Sequence, residues 1–275
     1  MKKIFLLKMG YGQMIYKNEL AYSKINLALY ISKQKENNLH KLISLITLFP
    51  LFKDILDIEI ITDASCSSFS ENKTKILIYG LEESCLNTES SIYKAIKIYL
   101  REINTNAYIK VNIKKGIPKL SGLGGASSDA GLILLILNNA FLNALSEIQL
   151  FTIGLKVGSD VCFFLSSYNT AIIYNTGELV YQIKNRSDLY FRYIKPKELK
   201  ISTKDAFIRL DRTNKTHLNL PERKELELQY EKDVNNWNFE NDFSYLYKKP
   251  IIPTSEKERI YLTGAGPTWF IVGQK

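Results

Sequence analysis

Pro118-Lys119-Leu120-Ser121-Gly122-Leu123-Gly124-Gly125-Ala126-Ser127-Ser128-Asp129-Ala130 runs directly into Gly131-Leu132-Ile133-Leu134-Leu135-Ile136-Leu137. Glycines let backbone amides converge, and a helix start leaves its first amides unpaired, so a Gly/Ser stretch opening into a helix reads as an anion-binding loop. The stretch has no Lys-Ser/Thr pair after its last glycine, which excludes a Walker A loop, and it lacks the G-x-G-x-x-G spacing of dinucleotide folds. A plain glycine turn capped by Ser127 is the bland alternative. The segment behind it decides between them: Leu132 to Leu137 is apolar on every side and describes a buried helix, which favours a phosphate loop.

The rest of the 275 residues sets bounds on this reading. With 45% hydrophobic and 12% aromatic residues the chain can build one large or two medium cores. The 37 basic and 28 acidic side chains give a net charge of +9, but the excess is dispersed and forms no arginine-rich block. Cys66, Cys85 and Cys162 are odd in number and in no metal-ligand spacing, as expected of reduced thiols in the cytoplasm. His40 and His217 cannot form a histidine-rich metal site. The apolar run after Met1 is broken by Lys8, and no segment has the length of a membrane span, so neither a membrane nor a nucleic-acid partner is expected.

Taken in order, residues 1–20 read as a variable extension or an edge strand. From Ser23 the pattern alternates, with Ile25, Leu27, Leu29 and Ile31 on one face and Lys24, Asn26, Ala28 and Tyr30 on the other, which predicts a half-buried strand. Lys24 and Asn26 then point the same way. A polar loop at Ser32–Asn38 precedes His40 and the apolar run Ile43–Leu51. Strands are expected at Ile55–Ile61, Lys75–Tyr79, Ala107–Lys114, Ala171–Tyr174, Leu179–Ile183 and Leu189–Ile194. Ser90 or Ser91 caps a helix through Glu102, and Ser202 opens another. Loops are expected at Asp63–Thr74 and Asn138–Glu147, a boundary region at Lys195–Lys200, and only polar chain at Asp211–Asn235. Asp160, held between Gly158 and an apolar segment, is expected to be partly buried and to need a cation or donors, with Lys24 a candidate partner.

Together Ser23-Lys24-Ile25-Asn26-Leu27, Leu39-His40, the Pro118–Ala130 loop, Gly158-Ser159-Asp160-Val161, Ser202-Thr203, Asn241-Asp242-Phe243 and Leu262-Thr263-Gly264-Ala265-Gly266 resemble the GHMP small-molecule kinases over about residues 22–272. The likeness is greatest to members that act on a cytidine diphosphate-linked alcohol in the non-mevalonate route to isoprenoid precursors. It implies a two-domain α+β fold: an N-terminal ATP-binding domain like ribosomal protein S5 domain 2 (1–165) and a ferredoxin-like substrate-binding domain (166–275). The implied cofactors are ATP and Mg2+, and the implied state is a cytoplasmic monomer or homodimer.

By the same resemblance, Lys24 and Asp160 are the catalytic pair, and Asn26, His40, Thr203 and Phe207 contact the substrate. ATP is held by Pro118, Lys119, Leu120, Ser121, Gly122, Leu123, Gly124, Gly125, Ala126, Ser127 and Ser128, with Ser128 available to magnesium. His40 reads the cytosine edge and Phe207 stacks on the base. Other alcohols, of the homoserine or mevalonate type, and a non-catalytic nucleotide- or RNA-binding role are the alternatives. The sequence departs from the family pattern at Leu39, usually aromatic, at Tyr22-Ser23, usually Pro-Ala, and at Ser121 and Ala126, commonly glycine.

Overall fold

The computed structural model describes residues 6–8, 12–36, 39–62, 74–81, 87–196, 201–213 and 215–275. Cys66, Cys85 and most of the Asp63–Thr74 and Lys195–Lys200 segments lie outside the described residues. The fold is α+β. The chain divides into two compact units, one holding residues up to Tyr22 with Leu51–Ile117 and Gly125–Ser167, the other Ser23–Pro50, Pro118–Gly124 and Tyr168–Lys275.

The first unit is built on β1 (Leu6–Lys8), the start of β2 (Gln13–Glu36), the end of β3 (Leu39–Thr62), β4 (Lys75–Tyr79) and β5 (Ala107–Lys114). β3 and β5 pair antiparallel from Ile55 opposite Lys114 to Thr62 opposite Ala107, while β4 lies parallel to β5. A parallel pair needs a crossover, and α1 (Ser91–Glu102) supplies it, with Ser90 capping the helix through the Tyr93 amide, as its sequence predicts. Alternation puts Leu56, Ile58, Ile60, Ile109, Val111 and Ile113 into the core with Ile92, Ile96 and Tyr99 of α1. α2 (Gly125–Ala140) closes that core with Ile133, Leu134 and Leu137. Its apolar run is buried as expected except at Leu135, which is only partly so.

α3 (Glu147–Val157) and α4 (Val161–Leu165) complete this unit. The Asn138–Glu147 loop is shorter than its composition suggests, because α2 continues to Ala140. Asn138 then pins the turn: its Oδ1 accepts from the Tyr99 hydroxyl (3.1 Å) and the Leu145 amide (3.0 Å), and its Nδ2 donates to the Leu145 carbonyl (3.0 Å). A buried amide with these partners avoids the cost of unpaired polar atoms.

In the second unit β3 pairs antiparallel with β6 (Thr170–Asn175), and β6 pairs with β7 (Leu179–Gln182). Pro50, which has no amide hydrogen, falls between the stretches of β3 that bond β6 and β5, and one 24-residue strand takes in both the apolar run Ile43–Leu51 and the strand expected at Ile55–Ile61. A second sheet has the order β8 (Leu189–Ile194), β10 (Trp269–Gln274), β9 (Glu258–Leu262), all antiparallel. With it go α5 (Thr203–Asp211), capped by Ser202, and α6 (Arg223–Glu231).

α6 was illegible among its charges, since only Leu226 and Tyr230 are buried; Arg186 closes its end by donating to the Tyr230 and Lys232 carbonyls at 2.6 Å each. Two strand expectations change. β2 continues through Glu36 where a polar loop is predicted at Ser32. Its Ser23–Leu29 stretch is buried on both faces, with Lys24 and Asn26 each only 2% exposed, and isolated bridges join Leu29 to Asn241 and Ser32 to His217. Among the described residues no helix is long and apolar enough to cross a membrane.

Candidate active site

The candidate residues fall into two groups, one in each unit, and the glycine loop contributes to both. In the second unit, Lys24 and Asn26 sit where β2 meets the first half of the loop. The Lys24 amide donates to the Leu123 carbonyl (3.0 Å), and Lys24 Nζ donates to Asn26 Oδ1 (2.5 Å). Asn26 Nδ2 donates to Ser44 Oγ (2.8 Å), which passes its own proton to the Ala28 carbonyl (2.6 Å). Both side chains are thus oriented by buried hydrogen bonds, and a buried ammonium is tolerable only in such company.

The C-terminal glycine turn, Thr263–Thr268, locks onto the same place. The Asn26 amide donates to Thr263 Oγ1 (2.9 Å), whose proton is shared between Asn26 Oδ1 (3.3 Å) and the Gly122 carbonyl (3.4 Å). Gly122 has φ +80°, and a Cβ there would lie 2.2 Å from the Thr263 carbonyl oxygen. At Gly266 a Cβ would lie 2.3 Å from the Ser121 carbonyl carbon. Backbone therefore packs on backbone, which only glycine permits. Asn241 holds the turn from its other side, with Nδ2 donating to the Leu262 (3.0 Å) and Gly264 (3.1 Å) carbonyls and Oδ1 accepting from the Phe243 amide (2.9 Å). Thr263 and Asn241 escaped the sequence-based list of site residues; their signal was their place within two of the quoted motifs.

His40 is buried, and Phe207 of α5 stacks on it, with ring centroids 5.6 Å apart and planes 19° from parallel. Phe207 also meets Phe243 edge-on at 5.0 Å. His40 Nδ1 faces the Ser32 carbonyl at 2.7 Å and Nε2 faces Asp211 Oδ1 at 2.8 Å. Asp211 is held below the usual carboxylate range by its hydrogen bond from Lys35, burial opposing and His40 adding to the effect. Leu39 is exposed, as is Thr203 in the first turn of α5.

The first unit carries the rest. α2 begins at Gly125, so Ser127 lies inside its first turn rather than capping it. The Ser128 hydroxyl, only 2% exposed, donates to the Tyr22 carbonyl (2.7 Å). Asp160 is half-buried at the turn before α4, as its apolar context implies. Two glycines bring that turn to the helix start: a Cβ at Gly131 would lie 2.7 Å from Phe164 Cβ, and one at Gly158 would lie 3.7 Å from Ser127 Oγ. Within the loop, Gly124 also has positive φ (+75°), whereas Ser121 and Ala126 do not, so their substitution for glycine carries no backbone strain. Ser121 instead braces the loop, donating to the Pro118 carbonyl (2.6 Å) and accepting from the Leu123 amide (3.3 Å).

In the second unit the first half of the glycine loop, a Lys-x-Asn strand and a second glycine turn are thus bound into one framework. Residues 90–168 match the family described as GHMP kinases N terminal domain. It is similar to the 4-diphosphocytidyl-2-C-methyl-D-erythritol kinase of Clostridium perfringens strain 13, 33% identical over 70% of this chain. That match spans 62% of the relative's length. The enzyme of the same name from Francisella philomiragia is 29% identical over 94% of this chain and 88% of its own. Among solved structures, a 4-(cytidine 5'-diphospho)-2C-methyl-D-erythritol kinase shares the fold with a TM-score of 0.63 at 21% identity, covering 92% of this chain and 89% of that one.

Proposed function

We propose that this chain is an ATP-dependent kinase that phosphorylates the 2-hydroxyl of 4-diphosphocytidyl-2-C-methyl-D-erythritol. The observation that carries the reading is the interlock of Lys24 and Asn26 with the glycine loop and the Thr263–Gly266 turn, a buried polar framework. The names of the relatives supply the substrate.

Transfer of a phosphoryl group to an alcohol needs charge neutralised on the phosphates, an alcohol placed in line, and an acceptor for its proton. In this reading residues 118–128 hold the triphosphate through loop amides and the first turn of α2. Asp160 orients the acceptor hydroxyl and takes its proton. Lys24 stabilises charge on the group in transfer, and Asn26 positions the acceptor. Magnesium would supply further neutralisation of the phosphate oxygens, with Ser128 as its protein ligand. His40, Phe207 and Thr203 bind the cytidine end. Since both His40 nitrogens already face acceptors, the base edge is read by exchanging Asp211 for substrate at Nε2. The division at residue 165, a cytoplasmic location and a monomeric or dimeric state belong to the same proposal, the first supported by the family match ending at residue 168.

Calorimetry with a cytidine diphosphate compound, with and without a non-hydrolysable ATP analogue, tests this on the wild type and on His40→Ala. Cytidine binding that weakens at least tenfold in the variant supports the reading. Nucleotide binding without any cytidine binding refutes the substrate and leaves another alcohol kinase of the superfamily.

A further inference from the structure

Three charged side chains that the proposed chemistry leaves unused are gathered in the first unit, on the segments that flank the glycine loop in sequence. Asp54 on β3 is fully buried, and Asp129, in α2, is 2% exposed. Lys115, just past β5, bridges them: its ammonium donates to Asp129 Oδ2 (2.8 Å) and to Asp54 Oδ2. Asp54 Oδ1 accepts from the amides of Gly116 (2.6 Å) and Ile117 (2.8 Å). The cluster therefore holds the chain at two places: residues 115–117, where it enters the loop, and α2, onto which it leaves. The packing is tight at both, since a Cβ at Gly116 would lie 2.3 Å from the Lys53 carbonyl oxygen and one at Gly125 would lie 3.1 Å from the Ile117 side chain.

As a device for stability the arrangement is poor. Two buried carboxylates share one cation, and Asp129 Oδ1 has no hydrogen-bond partner among the described residues. The two carboxylates raise Lys115 against the lowering effect of its own burial. Apolar residues of similar volume commonly do as well or better at such places, so a buried ion cluster is better explained by the geometry it enforces.

We propose that Asp54, Lys115 and Asp129 are positioning residues that fix both ends of the glycine loop so that its amides converge on an incoming polyphosphate. The inference rests on the kinase reading for the identity of that ligand, but not for the clamp itself.

The test uses magnesium with β,γ-imido-ATP, and separately a cytidine diphosphate compound, on the wild type, Lys115→Met, Lys115→Arg and Asp129→Asn, together with amide hydrogen exchange of the unliganded proteins. The expected result is a nucleotide Kd at least tenfold higher in Lys115→Met, recovered to within threefold in Lys115→Arg, with cytidine affinity changed less than twofold. Exchange at residues 116–126 should rise at least tenfold in Lys115→Met, with exchange in α1 unchanged. If Lys115→Met does not fold, Asp129→Asn carries the test, with at least threefold effects on the same two readouts. Unchanged loop exchange, or exchange that rises equally in α1, overturns the clamp. Increased loop exchange in a protein whose wild type binds no nucleotide supports the clamp and overturns the kinase reading.

Discussion

Gly266→Ala probes the contact between the two glycine turns. The added methyl would stand 2.3 Å from Ser121 C, 2.4 Å from Gly122 N and 2.6 Å from Ser121 O, all backbone atoms that no rotamer change can move aside. Ordinary contact begins near 3.4 Å, so the loop and the turn must separate by about 1 Å, an overpacking cost of roughly 1–3 kcal/mol. The same separation stretches the Thr263 hydroxyl contacts to Asn26 and Gly122, adding about 1 kcal/mol. A loss of roughly 3 kcal/mol corresponds to a melting temperature lower by about 6–12 °C for a chain of this size. Thermal unfolding measures this directly, and the Kd for an ATP analogue should rise at least tenfold because the amides of residues 121–123 move. Melting within 2 °C of wild type with unchanged nucleotide affinity would refute the reasoning, for it would mean that the two turns do not brace one another.

Asp129→Asn should change the pH dependence of stability. Its carboxyl rises from 3.8 to about 7 on folding, so the folded state binds the proton more tightly. Its stabilising contribution is then full below about pH 4 and is lost as pH rises through 7, by an amount on the order of 4 kcal/mol, and denaturant midpoints of the variant should lack that part of the decline. Asn241→Ala removes three buried hydrogen bonds and should cost roughly 2–4 kcal/mol by urea unfolding; a loss under 1 kcal/mol would contradict its bracing of the glycine turn. Lys24→Met should lower ADP formation by about 10²–10³-fold while changing nucleotide affinity less than tenfold, the signature of charge stabilisation during transfer; equal losses in both would assign Lys24 to binding alone.

The strands and helices with strong periodicity were legible in the sequence. Ser90 and Ser202 marked helix starts because a hydroxyl before an amphipathic run satisfies free amides, and Leu132–Leu137 declared a buried helix by having no polar face. The burial of Lys24 and Asn26 was not legible, since alternation reports residue type and a polar face reads as solvent-facing until its partners are known. Those partners, Ser44 at 18 residues and Thr263 at 237, are non-local. The same holds for Asp54: nothing around it in sequence announces a buried carboxylate, because its amide and ammonium partners lie more than 60 residues on. His40 and Phe207 were each expected to meet a cytosine ring, not one another, and Asp211 was not expected at all, as it falls at the end of a helix in a charged stretch.

The most direct measurement is ADP release by the purified protein with magnesium ATP and 4-diphosphocytidyl-2-C-methyl-D-erythritol, beside the Asp160→Asn variant. The account predicts turnover that depends on the cytidine substrate and falls at least 10³-fold in the variant, with melting temperature and nucleotide affinity nearly unchanged. No substrate-dependent ADP from a folded, nucleotide-binding wild type, or an Asp160→Asn variant as active as wild type, would contradict it.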